Sequence, residues 1–144
     1  MLESHQVLFF FILLIFSVFF LLNLSNADLG TGAYYSPPYL PTACFGNDPN
    51  QFPAGNLFAA AGAGIWDNGA ACGRQYLVRC LQGSIQDTVC SSSDTIKITI
   101  VDQATNLVSP PSKNGATMTF SVAAYGRIAK QSAADEINIE YREV

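Results

Sequence analysis

Two patterns of apolar and polar positions divide the chain. From Val7 to Leu22 every residue except Ser17 is apolar. Beyond the small and polar run Asn23-Leu24-Ser25-Asn26-Ala27, the pattern breaks into short segments of alternating character. Residues 95–100 place Ile96, Ile98 and Ile100 on one side and Lys97 and Thr99 on the other. Residues 136–141 repeat that alternation, and residues 75–80 follow it in part. A period of two with β-branched residues predicts half-buried strands. Three further short runs, residues 30–35, 57–61 and 117–120, are predicted strands.

Helical signals are fewer. Ser121 is placed to N-cap a helix over residues 122–130, with Val122, Ala123, Tyr125 and Ile128 as its core stripe. Residues 62–67 predict a short helix closed by Asn68-Gly69, with Gly69 suited to the left-handed position after it. Three segments must be loops. Residues 36–41 hold Pro37, Pro38 and Pro41, residues 47–55 hold Pro49 and Pro53, and residues 105–115 hold Pro110-Pro111. Six strands with one or two short helices predict a small closed β-barrel. Periodicity by itself gives no strand order.

The first apolar block changes the picture of where the chain goes. It is short for a membrane span, which needs about 20 apolar residues. Small residues at Ser25 and Ala27 form the pattern that a signal peptidase reads, so residues 1–27 are predicted to be a signal peptide cut after Ala27. Its head is unusual, carrying Glu3 and His5 but no Lys or Arg. An uncleaved anchor is the alternative, but the flank is small and polar rather than basic. Residues 28–144 are then one secreted domain, expected to act as a monomer in the extracellular space. The mean hydropathy of +0.23 is inflated by the leader, and no second segment is long enough to span a membrane.

The formal net charge is −4, and the seven basic residues are dispersed along the sequence. Without a basic run there is little counterion release to drive binding, so nucleic acid is not an expected partner. All four cysteines, Cys44, Cys72, Cys80 and Cys90, follow the leader. An even number in a secreted chain predicts two disulfides, with three pairings open. None of the spacings is C-x-x-C, which disfavours a zinc or redox site. The single histidine, His5, leaves with the leader. Histidine-based nucleophilic catalysis and histidine-ligated metal are thereby excluded from the mature chain, and no cofactor is expected. The only Asn-x-Ser/Thr triplet, at Asn23, also lies in the leader.

The run Ile65-Trp66-Asp67-Asn68-Gly69-Ala70-Ala71-Cys72-Gly73-Arg74-Gln75-Tyr76 resembles the (W/F)-x-N-G-x-x-C-G-x-x-(Y/F) segment of expansin-type domains. Gly32-Ala33-Tyr34-Tyr35 and Ala43-Cys44-Phe45-Gly46 resemble the start of that domain. Ile98-Thr99-Ile100-Val101-Asp102 resembles its V-x-V-x-D strand, and residues 120–129 resemble its L-S-x-x-A-F-x-x-I-A helix. The motifs recur in order from Gly30 to Val144 and are most similar to EG45-like domain proteins, which include plant natriuretic peptides. That resemblance implies an all-β fold, a six-stranded double-psi β-barrel, with pairs Cys44–Cys72 and Cys80–Cys90. Two cysteines that many members carry after the Asp102 strand are missing, so a looser loop is expected over residues 105–115.

Within that resemblance, Asp102 is the sharpest chemical candidate. Glycoside cleavage normally needs a second carboxyl group. The family's H-F-D positions are here Thr117, Met118 and Thr119, so the second Asp is lost. Its T-W-Y-G positions are Ala33, Tyr34, Tyr35 and Ser36, so its Thr is lost too. No catalytic residue is expected. Tyr34, Tyr35, Trp66 and Asp102 are a candidate sugar groove, with core packing the competing role for the aromatics and a strand-end turn the competing role for Asp102. Tyr39 and Phe45 are candidate partner-binding loop residues. The resemblance implies a non-enzymatic secreted protein signalling in water and solute homeostasis through a cell-surface receptor. The alternative is a non-hydrolytic module that binds wall polysaccharide.

Overall fold

A computed structural model describes residues 3–21, 26–81, 88–106 and 115–144. Its order is α1 (Ser4–Leu21), β1 (Asp28–Tyr35), β2 (Phe58–Ala61), α2 (Ala63–Trp66), β3 (Gln75–Cys80), β4 (Ile96–Gln103), β5 (Met118–Ser121), α3 (Val122–Ile128) and β6 (Glu136–Glu143). The six strands close in the order β1-β5-β2-β4-β3-β6. β1 runs parallel to β5 and β2 parallel to β4, while the other four pairings are antiparallel. This is the closed mixed barrel that the motifs imply. Closure leaves no bare sheet edge.

The alternating strands do what their pattern dictates. Ile96, Ile98 and Ile100 of β4, Val78 of β3, and Ile137 and Ile139 of β6 point inward and are buried. β2 and β5 are buried at every residue and so carry no alternation. Their inward residues, Ala59, Ala61, Met118 and Phe120, join the barrel interior. On the outer side, Phe58 and Ala60 join Tyr35, Val101 and Ala104 in a second core, against which Tyr39 and Phe52 pack from the loops. Small side chains in β2 let structure pack on both its faces. At its end, a Cβ on Gly62 would lie 2.0 Å from the Ala116 carbonyl oxygen, so only glycine fits that approach.

Both helices after β2 and β5 form, with shifted limits. Ser121 caps α3, its hydroxyl accepting from the Ala124 amide at 3.1 Å. The buried stripe is Ala124, Tyr125 and Ile128; Ala123 is exposed and Val122 half-buried, contrary to the expected face. The helix stops at Ile128 rather than Lys130 because Ala129 turns extended and pairs with Cys90. After α2 the left-handed positions are Asp67, Asn68 and Gly69, not Gly69 alone. Cys44–Cys72 and Cys80–Cys90 are the two disulfides. Most of the expected loop over residues 105–115 lies outside the described residues. The side chains of α1 that are described, such as Phe9 and Phe16, are exposed. Among the described residues no helix is long and apolar enough to cross a membrane.

Candidate functional site

Strand register decides which candidates meet. Ala60 of β2 pairs with Asp102 of β4 on one side and with Thr119 of β5 on the other. Thr119 in turn pairs with Ala33 of β1. A register shift between Ala59 and Ala60 brings Asp102 onto this row. Two inter-strand steps set the Asp102 and Thr119 backbones about 10 Å apart. They therefore occupy one row of the outer face, with a single carboxylate where a glycosidase would need a pair. A hydroxyl at Thr119 cannot exchange a proton near neutral pH.

That row is covered. Asp102 is 4% exposed, Tyr35 1% and Thr119 0%. The cover is the chain between β1 and β2. Asp102 Oδ1 accepts from the Ala43 and Gln103 amides, both at 2.8 Å, and the Cys44 amide donates to the Val101 carbonyl. Asp102 thus clamps the turn around Cys44 to the end of β4. Burial raises its pKa above the usual carboxylate range, against the two amides, which lower it. Burial also raises the Tyr35 pKa, with the Asp102 charge adding to the effect. The Tyr35 hydroxyl and Thr119 Oγ1 are buried polar atoms with no hydrogen-bond partner among the described residues.

The candidate aromatics separate rather than form a platform. Tyr35 lies in the outer core, its ring 5.0 Å from that of Tyr39. Tyr34, its neighbour in the strand, points to the opposite face. Its ring stacks at a tilt on Tyr125, 4.7 Å between centroids, and its hydroxyl donates to Asp135. Trp66 is half-buried against the barrel interior. It follows β2, at the end where Ala61 pairs with Met118, whereas Tyr34 and Tyr35 pair with Phe120 and Ser121 at the far end of β5.

The two loop candidates also part company. Tyr39 is half-buried, and its hydroxyl donates to the Tyr35 carbonyl and accepts from the Val122 amide at the start of α3. It is a strut between β1 and α3. Phe45 is 44% exposed. It sits in a turn where Thr42 and Gly46 pair through both backbone hydrogen bonds, and the Thr42 hydroxyl accepts from the Phe45 amide at 3.0 Å. The Thr42 hydroxyl also donates to Gln51, whose amide nitrogen bonds the Gly46 carbonyl. The Asp102 clamp and the Cys44–Cys72 bridge fix the same turn from beneath. Sequence reasoning missed the roles of Thr42 and Gln51, because no local signal marks a side-chain bond spanning nine residues. Among the described residues no cluster of His, Cys, Asp and Glu could hold a metal ion.

No family model matches the chain. It is 35% identical to an EG45-like domain containing protein of Citrus jambhiri over 121 residues, 81% of this chain and 82% of that one. It is 30% identical to a putative EG45-like domain containing protein of Arabidopsis thaliana over 138 residues, 96% of this chain and 98% of that one. Among solved structures, a Clavibacter michiganensis expansin variant in complex with cellohexaose superposes with a TM-score of 0.57 at 20% identity. That match covers 83% of this chain, which spans half of the expansin chain.

Proposed function

The chain belongs to the EG45-like domain family, and on that footing we propose that it is a secreted, non-hydrolytic interaction protein that engages a cell-surface partner through the Phe45 turn. The observation that carries this reading is an exposed aromatic side chain on a turn held by backbone, side-chain and disulfide constraints at once. A large aromatic on a pre-ordered turn is a favourable anchor, since little ordering entropy remains to be lost on binding. The non-hydrolytic reading is supported by Thr119 opposite Asp102 and by the covered position of Asp102. Secretion is supported by the exposed apolar α1 and by two disulfides. Signalling in water and solute homeostasis is the role we assign to the interaction, with the protein acting as a monomer.

A second reading is binding of wall polysaccharide at the Asp102 face. It is favoured by the shared fold of the expansin crystallised with cellohexaose. The two readings separate in one experiment. Wild type, Phe45→Ala and Asp102→Asn are measured for retention on plant membrane extract and on insoluble glucan. Loss of membrane retention by about tenfold in Phe45→Ala, with Asp102→Asn unchanged, is the expected result. Glucan retention that falls in Asp102→Asn while Phe45→Ala behaves as wild type would overturn the first reading in favour of the second.

A further inference from the structure

The basic residues that are dispersed in sequence gather on one wall of the barrel. Leu77 of β3 pairs with Lys97 of β4 on one side and with Arg142 of β6 on the other. All three therefore project from the same outer face, with Lys97 and Arg142 about 10 Å apart across two inter-strand steps. Arg79, two residues along β3, shares that face and pairs with Glu140 of β6. Three of the chain's seven cationic side chains thus stand on one sheet face of a protein whose net charge is −4.

Their pairing is incomplete. Arg79 is ion-paired with Glu140. Among the described residues, neither Lys97 nor Arg142 has an ion-pair partner. Both are exposed, whereas Leu77 between them is half-buried. The result is a trough with charged rims. On the Arg142 side a cleft of about 260 Å³ is lined by Leu77, Arg79, Thr95, Glu140 and Arg142, with Ala27 also at its wall and Lys97 outside it. Thr95 and Gln75 add hydroxyl and amide donors on the same face.

We propose that this wall is a docking surface for a carboxylate-bearing polysaccharide, a linear polyuronate. The charge is complementary, since two cations without an ion-pair partner face outward beside the Arg79–Glu140 pair in a chain of net charge −4. Hydroxyl and amide groups flanking the cations suit a hydroxyl-rich chain. Cations spread over three neighbouring strands suit an extended polymer rather than a compact ligand. An anionic membrane is the weaker fit, because the apolar residue between the cations is recessed rather than protruding; the exposed Leu29 lies beyond Glu140. The surface is separate from the Phe45 turn and does not depend on that turn's role.

The test measures binding of the purified protein to polygalacturonate, to its fully methyl-esterified neutral form, and to phosphatidylserine vesicles. Polygalacturonate should bind, and binding should fall about tenfold between 50 and 200 mM salt as the added salt reduces the gain from counterion release. The neutral ester should not bind. A Lys97→Glu/Arg142→Glu pair, checked for folding by its thermal transition, should lose at least tenfold in affinity. Lys130→Glu, which changes an exposed cation after α3, should retain wild-type affinity. Equal loss in Lys130→Glu would mean that net charge alone is sensed and would overturn the proposal. So would binding to the vesicles without binding to polygalacturonate, or binding that the double variant leaves intact.

Discussion

Asp102 shows how one side chain can look catalytic in sequence and act structurally in the fold. Its Oδ1 holds two backbone amides from different segments, so removing it takes away the acceptor of two part-buried donors. Asp102→Ala should cost about 1–3 kcal/mol in urea-unfolding free energy. Asn keeps the acceptor oxygen, and comparison of that variant across pH isolates the charge. The folded-state pKa of Asp102 lies above its unfolded value near 3.8, so the folded chain holds the proton more tightly. Stability from this group is then fullest at low pH and is lost as pH rises through the raised pKa. Asp102→Asn lacks that titration. It should therefore gain stability relative to wild type as pH climbs from 3.8 toward neutral, measured by urea unfolding at each pH. A constant difference across that range would mean that the carboxyl titrates alike in both states.

At the scale of elements, the cover between β1 and β2 is what most shapes the candidate site. It is tied by Cys44–Cys72, which closes a separation of 28 residues, while Cys80–Cys90 closes one of 10. Chain entropy assigns the longer loop about 3.6 kcal/mol and the shorter about 2.7 kcal/mol. The Cys44→Ser/Cys72→Ser pair should therefore destabilise more than Cys80→Ser/Cys90→Ser, read as the difference in denaturant midpoints. The cap of α3 is a second such joint. Ser121 accepts from Ala124 and donates to the Asn56 carbonyl at 2.5 Å, linking the helix start to the end of the cover. Ser121→Ala should cost about 2 kcal/mol, the upper end for an N-cap, because the hydrogen bond to the Asn56 carbonyl is lost as well. Thermal unfolding of that variant checks the value.

For the whole molecule, β1 begins at Asp28, the residue that follows the expected cut. N-terminal sequencing of protein recovered from the medium should therefore begin at Asp28, leaving the β1–β6 ladder whole. A start inside β1 would remove pairs such as Asp28 with Tyr141 and would contradict the assignment. Closure of the barrel also bears on catalysis. The mature protein should release no reducing sugar from cellulose or xyloglucan, because one buried carboxylate lies across a single strand from a threonine. Turnover abolished by Asp102→Ala would refute this.

Local chemistry alone determined much of this protein. Ile96, Ile98 and Ile100 alternate with polar residues because β4 has a core on one side, and Ser121 announces a helix start because its hydroxyl satisfies an amide three residues on. Such signals span a few residues and need no partner from elsewhere. The motif resemblance added the barrel class and the disulfide pairs, while the strand order came from the tertiary structure. Only the tertiary structure decided the rest. Tyr34 and Tyr35 are adjacent in sequence yet belong to different cores, since neighbours in a strand point to opposite faces and what covers each face comes from distant chain. Tyr39 and Asp102 became a strut and a clamp because their partners, Val122 and Ala43, lie 83 and 59 residues away. Lys97 and Arg142, far apart in sequence, share one wall because β3 lies between their strands. Charge clustering of that kind arises from strand register, which no local pattern encodes.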